Sequence, residues 1–185
     1  THSDSSAASD VYKRQGRIDK IPSLRAAFAQ DGTITAANAS SISDGASALI
    51  LASESAVEAH GLKPMAKIVA HARSSRLPAE FTLAPVDAIS SLFDKTGWSA
   101  DDVDLWEINE AFAMVTMLAM KAHGLDHSKV NVHGGACAQG HPIGSTGSRI
   151  IVTLMHAMHH YGKERGVAAL CIGGGEATAV AIEKC

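Results

Sequence analysis

The chain has 185 residues, of which 46% are hydrophobic and 19% charged, with a formal net charge of −3. That length supports one domain with a real core, and that balance excludes an intrinsically disordered chain and a general nucleic-acid binder. The 16 basic residues form no dense run of the kind that marks a basic arm or a polybasic membrane patch, and no apolar run approaches the ~20 residues that span a bilayer.

Residues 1–15, THSDSSAASDVYKRQ, are polar and unpatterned and lack the apolar centre of a signal peptide. The stretch Asp10–Gln15 resembles the translation of an adapter used in sequencing libraries, so residues 1–15 read as a foreign or disordered leader. From Gly16 the pattern becomes organised. Gly45–Ser53 is an apolar run suited to a buried strand, Glu54–His60 a short helix stopped by Gly61 and Pro64, and Ala66–Ala72 a strand. Val86, Ile89, Leu92 and Phe93 repeat at a helical period up to Gly97. Ser99-Ala-Asp-Asp is a helix-start signal.

Val103–Ile108 predicts a strand, Ala111–His123 a helix ending at Gly124, and Val130–His133 a strand running into a glycine-rich loop. Ile150, Ile151, Leu154, Met155 and Met158 line one face of a helix beginning near Ser145, whose polar face carries His156, His159 and His160. Val167–Ile172 and Ala177–Glu183 flank Gly173-Gly174-Gly175 as a hairpin at a sheet edge. The order βαβαβαβαββ argues for an α/β layer: a mostly parallel sheet covered by helices.

Three loops follow strands and so sit where α/β proteins place their chemistry. They begin at Asn109, at Gly134 (running to Arg149) and at Cys171. Each has a plain alternative: Asn109 as a helix N-cap, His141 as a loop histidine held by Pro142, Cys171 as a small buried hydrophobe. Together they place an amide, an imidazole and a thiol beside glycines whose N–H groups can approach a ligand, which suits acyl-transfer or enolate chemistry.

Cys137, four residues before His141, has no predicted helix behind it and reads as a packing residue. It forms no recognised zinc pair with His141, so no metal site is expected. The glycines of GHPIGSTGSR match no nucleotide-binding fingerprint, although a helix start near Ser145 would favour an anion. The three cysteines, Cys137, Cys171 and Cys185, are too few for a disulfide framework and read as reduced thiols of a cytoplasmic protein.

NEAFA at 109–113, GGACAQGHPIGSTGSR at 134–149 and CIGGGEATA at 171–179 resemble, in order and spacing, the three C-terminal motifs of thiolases. DGTITAANASSISDGASAL at 31–49 resembles that family's coenzyme A-binding stretch, and Phe81-Thr-Leu-Ala-Pro85 resembles its acetoacetyl-CoA type. The resemblance implies a layered thiolase fold, with residues 16–60 the end of the N-terminal region and 61–185 the C-terminal domain. It implies that an acyl-accepting cysteine lies in a first half not represented here, and that His141 activates it. Cys171 would remove the α-proton of acetyl-CoA as a thiolate whose pKa the adjacent imidazole lowers, Asn109 would hold a water that forms an oxyanion hole with His141, and the Gly173 N–H would serve a second hole.

Phe28, Ala36 and Ser40 match positions along the pantetheine; Ala111 and Phe112 flank the acyl pocket. Coenzyme A thioesters are implied as substrates, with no tightly bound cofactor, no nucleic-acid or membrane partner, and a homo-oligomer as the assembled state. The implied activity is acetyl-CoA C-acetyltransfer. A 3-ketoacyl-CoA thiolase of fatty-acid or aromatic degradation and a non-catalytic thiolase-like binding protein are the alternatives.

Overall fold

The computed structural model describes residues 18–185; the expected leader at 1–15 lies outside them. In chain order a 3-10 turn at Ile18–Ser23 leads into an arm that reaches residue 53. Helix α1 (Glu54–His60), strand β1 (Ala66–Ser75) and helix α2 (Ala84–Thr96) follow. Next come β2 (Leu105–Ile108), α3 (Ala113–His123), the short α4 (Ala136–Gln139) and α5 (Thr146–Tyr161). The chain closes with β3 (Arg165–Cys171) and β4 (Glu176–Lys184).

The helices end where the sequence stops them. Gly61, Gly97, Gly124 and Gly162 all take left-handed backbone just past α1, α2, α3 and α5, and each caps a carbonyl of the last turn. Ser99 and Asp102 form a reciprocal capping box, opening only a 3-10 turn at Ala100–Asp102.

The sheet order is β1-β4-β3-β2. Only β2 and β3 run parallel; β4 is antiparallel to both β3 and β1. The sheet is therefore mixed rather than mostly parallel. The β3–β4 hairpin is its centre rather than an edge, with β3 largely buried on both faces and β4 exposed only at Glu176 and Thr178.

Two expected strands are absent among the described residues. Gly45–Ser53 pairs with no strand among the described residues, and Ile50 and Leu51 stand 95% and 75% exposed. Val130–His133 forms only a bridge from Val130 to Trp106, because Asn131 adopts φ 49° and turns the chain away.

Strand alternation divides the core. Trp106, Ile108, Val167, Ala169, Ala177, Ala179 and Ala181 meet Ala84, Ala88, Ile89 and Leu92 of α2 and Ala119 of α3. Leu105, Ala168 and Ile182 meet Ile150, Leu154, Ala157 and Met158 of α5 on the other face. Glu107 and Asn109 share the parity of Leu105, so they lie on the α5 side. No described helix is long and apolar enough to cross a membrane.

Candidate active site

Because β2 and β3 are parallel, their C-terminal ends lie together. The Asn109 N–H donates to Ala169 O at 2.9 Å, and Cys171 ends β3 two residues further on. Asn109 is not a helix N-cap; Phe112 occupies that position of α3.

The residue before Asn109 is clamped. The Ile108 N–H donates to Asn131 Oδ1 (2.8 Å), while Ile108 O accepts from Asn131 Nδ2 (2.9 Å) and Thr116 Oγ1 (3.1 Å). The Asn131 amide thus stands in for a missing strand along the edge of β2.

The Gly134–Arg149 loop brings His141 to Asn109. Asn109 Nδ2 donates toward His141 Nε2 over a long 3.4 Å, and Asn109 Oδ1 is buried without a partner. On the far side of the ring, Nδ1 meets Thr146 Oγ1 at 2.7 Å, and that hydroxyl donates to Pro142 O at 2.9 Å. A hydroxyl has one proton, so Nδ1–H is the donor to Thr146 and Nε2 keeps its lone pair. Burial, and then the positive Arg149, hold the imidazole below its ordinary pKa, so it is neutral near pH 7.

Gly140, just before His141, has φ 94°, and a Cβ there would collide with Ser43 Oγ, so this approach to the ring requires glycine.

Cys171 is 6% exposed. Burial pushes its thiol up to about 11, the opposite of the lowered value expected from the sequence. No hydrogen bond joins it to His141 among the described residues, and its pleat parity is that of Val167 and Ala169. At neutral pH it is a protonated thiol. Beyond it, Gly173 is exposed in an open turn. The turn is closed by Gly175 N–H to Ile172 O (3.0 Å) and Ile172 N–H to Glu176 O (2.7 Å).

Cys137 does sit on a helix, the single turn α4, contrary to the sequence expectation. Its N–H donates to Glu110 Oε2 at 3.0 Å, which ties the His141 loop to the residue after Asn109. Ser145 precedes α5 but turns its hydroxyl to Ser47 Oγ at 2.7 Å.

The arm crosses both loops. Ala39 bridges Phe112, Ile42 bridges His141, and the His141 N–H donates to Ser41 O at 2.9 Å. Ser40 donates to Ala111 O through its N–H (3.2 Å) and its hydroxyl (2.9 Å). Phe28 packs edge-on against Phe112 with ring centroids 5.8 Å apart, and Phe81 joins at 6.2 Å. Ala36 is exposed in a turn braced by Thr35 and Asn38. Of the residues matched to a coenzyme A thioester, Phe28, Ser40, Ala111 and Phe112 therefore meet at one place.

Sequence reasoning missed Thr146, Asn131, Glu107 and Arg149. Glu107 is a carboxylate inside the apolar run LWEI, and that was the available signal. It is 2% exposed and bonds Arg149 Nη1 through Oε2 at 3.2 Å.

A layered α/β protein with a polar site at the C-terminal ends of two parallel strands is what the fold defines. The family model for the C-terminal domain of thiolase matches residues 62–184, and the one for the N-terminal domain matches residues 2–55, a span that includes most of the expected leader. The chain belongs to the thiolase family. It is 51% identical over 175 residues to a Dictyostelium discoideum protein described as "Probable acetyl-CoA acetyltransferase", covering 95% of this chain and 42% of that protein. It is 44% identical over 178 residues to mouse "Acetyl-CoA acetyltransferase, cytosolic", covering 95% of this chain and 45% of that protein.

Its fold superposes on human mitochondrial 3-ketoacyl-CoA thiolase in complex with CoA with a TM-score of 0.83 at 38% identity, covering 91% of this chain and 42% of that one. The chain thus spans less than half the length of these relatives.

Proposed function

We propose that this chain carries the proton-transfer and oxyanion groups of an acetyl-CoA C-acetyltransferase, which joins two acetyl-CoA into acetoacetyl-CoA or runs the reverse thiolysis. The observation that carries this reading is the chain Asn109–His141–Thr146, whose tautomer leaves His141 Nε2 as a base facing an amide donor. The names of the Dictyostelium and mouse relatives support the substrate class.

In this reading His141 Nε2 takes the proton of an acyl-accepting cysteine supplied by the other half of the protein. The thiolate attacks the thioester carbonyl, and coenzyme A leaves with that proton. A water held by Asn109, together with the imidazolium N–H, carries the negative charge on the carbonyl oxygen. Cys171 then removes the α-proton of a second acetyl-CoA, the Gly173 N–H binds the enolate oxygen, and the enolate carbon attacks the acyl group to release the cysteine.

Since Cys171 alone is a protonated thiol, its activation requires the complete site. Phe28, Ser40, Ala111 and Phe112 would lie along the thioester, with Ala36 beside the pantetheine. The whole protein would work as a cytoplasmic homo-oligomer of lipid metabolism; the mouse relative's name supports that location.

A 3-ketoacyl-CoA thiolase is the second reading, favoured by the likeness to the human enzyme. The test joins this chain to a thiolase N-terminal half and compares thiolysis of acetoacetyl-CoA with that of a longer 3-ketoacyl-CoA. The first reading expects the short substrate to be faster, and His141→Ala or Cys171→Ala to lower kcat by at least ~10². Equal or better rates on the longer substrate would overturn the acetyl assignment, and unimpaired variants would overturn the roles.

A further inference from the structure

A buried ion pair behind the candidate site is left unused by the chemistry above. Glu107 and Asn109 alternate onto the α5 face of β2, and Glu107 accepts from Arg149 at 3.2 Å while its Oε1 has no partner. Arg149 lies three residues after Thr146 on α5, so the two share a helix face, and Thr146 is the hydroxyl bonded to His141. A strip of polar side chains therefore gathers here, Glu107 bonded to Arg149 and Thr146 to His141 beside Asn109, and both buried unpartnered oxygens of the described residues belong to it. Burying a charge pair gains little stability over apolar residues of the same volume, which makes a role in the site the better explanation for this one.

We propose that Glu107 and Arg149 are positioning residues for His141: their ion pair ties α5 to β2 three residues beyond Thr146, and so holds the Thr146 hydroxyl against His141 Nδ1 and leaves Nε2 able to accept a proton. The proposal rests on the reading of His141 as a base. Arg149 also opposes a positive charge on the ring.

Burial pushes Glu107 up to about 7 despite Arg149, so the charge on the pair varies near neutral pH. The other groups about the strip are few. Glu110 acts on Glu107 and Arg149 from the loop after β2. Cys171 at the end of β3 is uncharged, and Asp44 on the arm is exposed.

The test follows the His141 ring nitrogens by NMR through a pH titration in the wild-type chain, Glu107→Gln, Arg149→Lys, Arg149→Gln and the double variant Glu107→Gln/Arg149→Gln. The double variant leaves no uncompensated buried charge, so it keeps the test available where a single variant fails to fold. Arg149→Gln and the double variant are expected to weaken the preference for the Nδ1–H tautomer, Glu107→Gln to do so less, and Arg149→Lys to leave it near wild type. A tautomer preference unchanged in the double variant would overturn the proposal. The readout needs no turnover, so failure of the acyl-transfer reading leaves it intact.

Discussion

Residues 66–184 and the arm at 18–53 are built on different principles. In the first, every strand of the sheet is paired and the core side chains of α2 and α5 are almost wholly buried. In the second, the described residues form no ladder, and order comes from single bridges and hydrogen bonds to the Asn109 and His141 loops. The core holds itself together, whereas the arm is held by the site it crosses. The groups proposed to do chemistry stand on the rigid part, and most of those proposed to meet coenzyme A stand on or against the arm.

The contrast can be broken most strongly by deleting apolar atoms on each side. Leu92→Ala in the core should cost about 2–5 kcal/mol, whereas Leu51→Ala on the arm should stay within about 0.5 kcal/mol. Urea unfolding of both variants reads the difference, and equal costs would mean that the arm is packed as the core is.

Glu107 gives the next effect, through pH. Its folded-state pKa is raised to about 7 from 4.5, so its contribution is fully present below 4.5 and is lost as pH rises through 7. Relative to Glu107→Gln, the wild type should lose about 3 kcal/mol of stability between those limits. Parallel stability–pH curves would contradict this.

Asn131→Ala removes two of the three side-chain hydrogen bonds to the Ile108 backbone and should cost about 1–3 kcal/mol in the same assay, because it leaves a strand N–H unpaired. Ser40→Ala loses one hydrogen bond between arm and site, worth about 0.5–1.5 kcal/mol. That loss should appear as faster proteolysis of the arm with little change in the urea midpoint; a large fall in the midpoint would place the arm within the cooperative core.

What the sequence made legible was mostly local. A period of apolar residues followed by glycine marks a helix and its end within one segment, and α1 agrees residue for residue. Strands depend on a partner elsewhere. Gly45–Ser53 had the composition of a strand without a neighbour, and Val130–His133 was broken by the left-handed Asn131. The alternation of strands and helices suggested parallel crossovers throughout, but β4 inserts antiparallel between β3 and β1.

The motif loops pointed to Asn109 and His141, which do meet. The supporting shell was less visible, because Thr146, Arg149 and Glu107 become partners only when α5 packs on β2. The thiol of Cys171 was misjudged for a related reason: its burial is a property of the sheet, and no cation lies bonded to it.

The proposed division of roles gives this chain the base and oxyanion donors of a thiolase site and leaves the acyl acceptor to the rest of the protein. The most direct measurement is a thiolysis assay of the 185-residue chain with acetoacetyl-CoA and coenzyme A, run beside circular dichroism to establish that the sample is folded. The account predicts a folded sample without turnover. Turnover well above background would mean that Cys137 or Cys171 accepts the acyl group itself, and would contradict the division of roles proposed for this site.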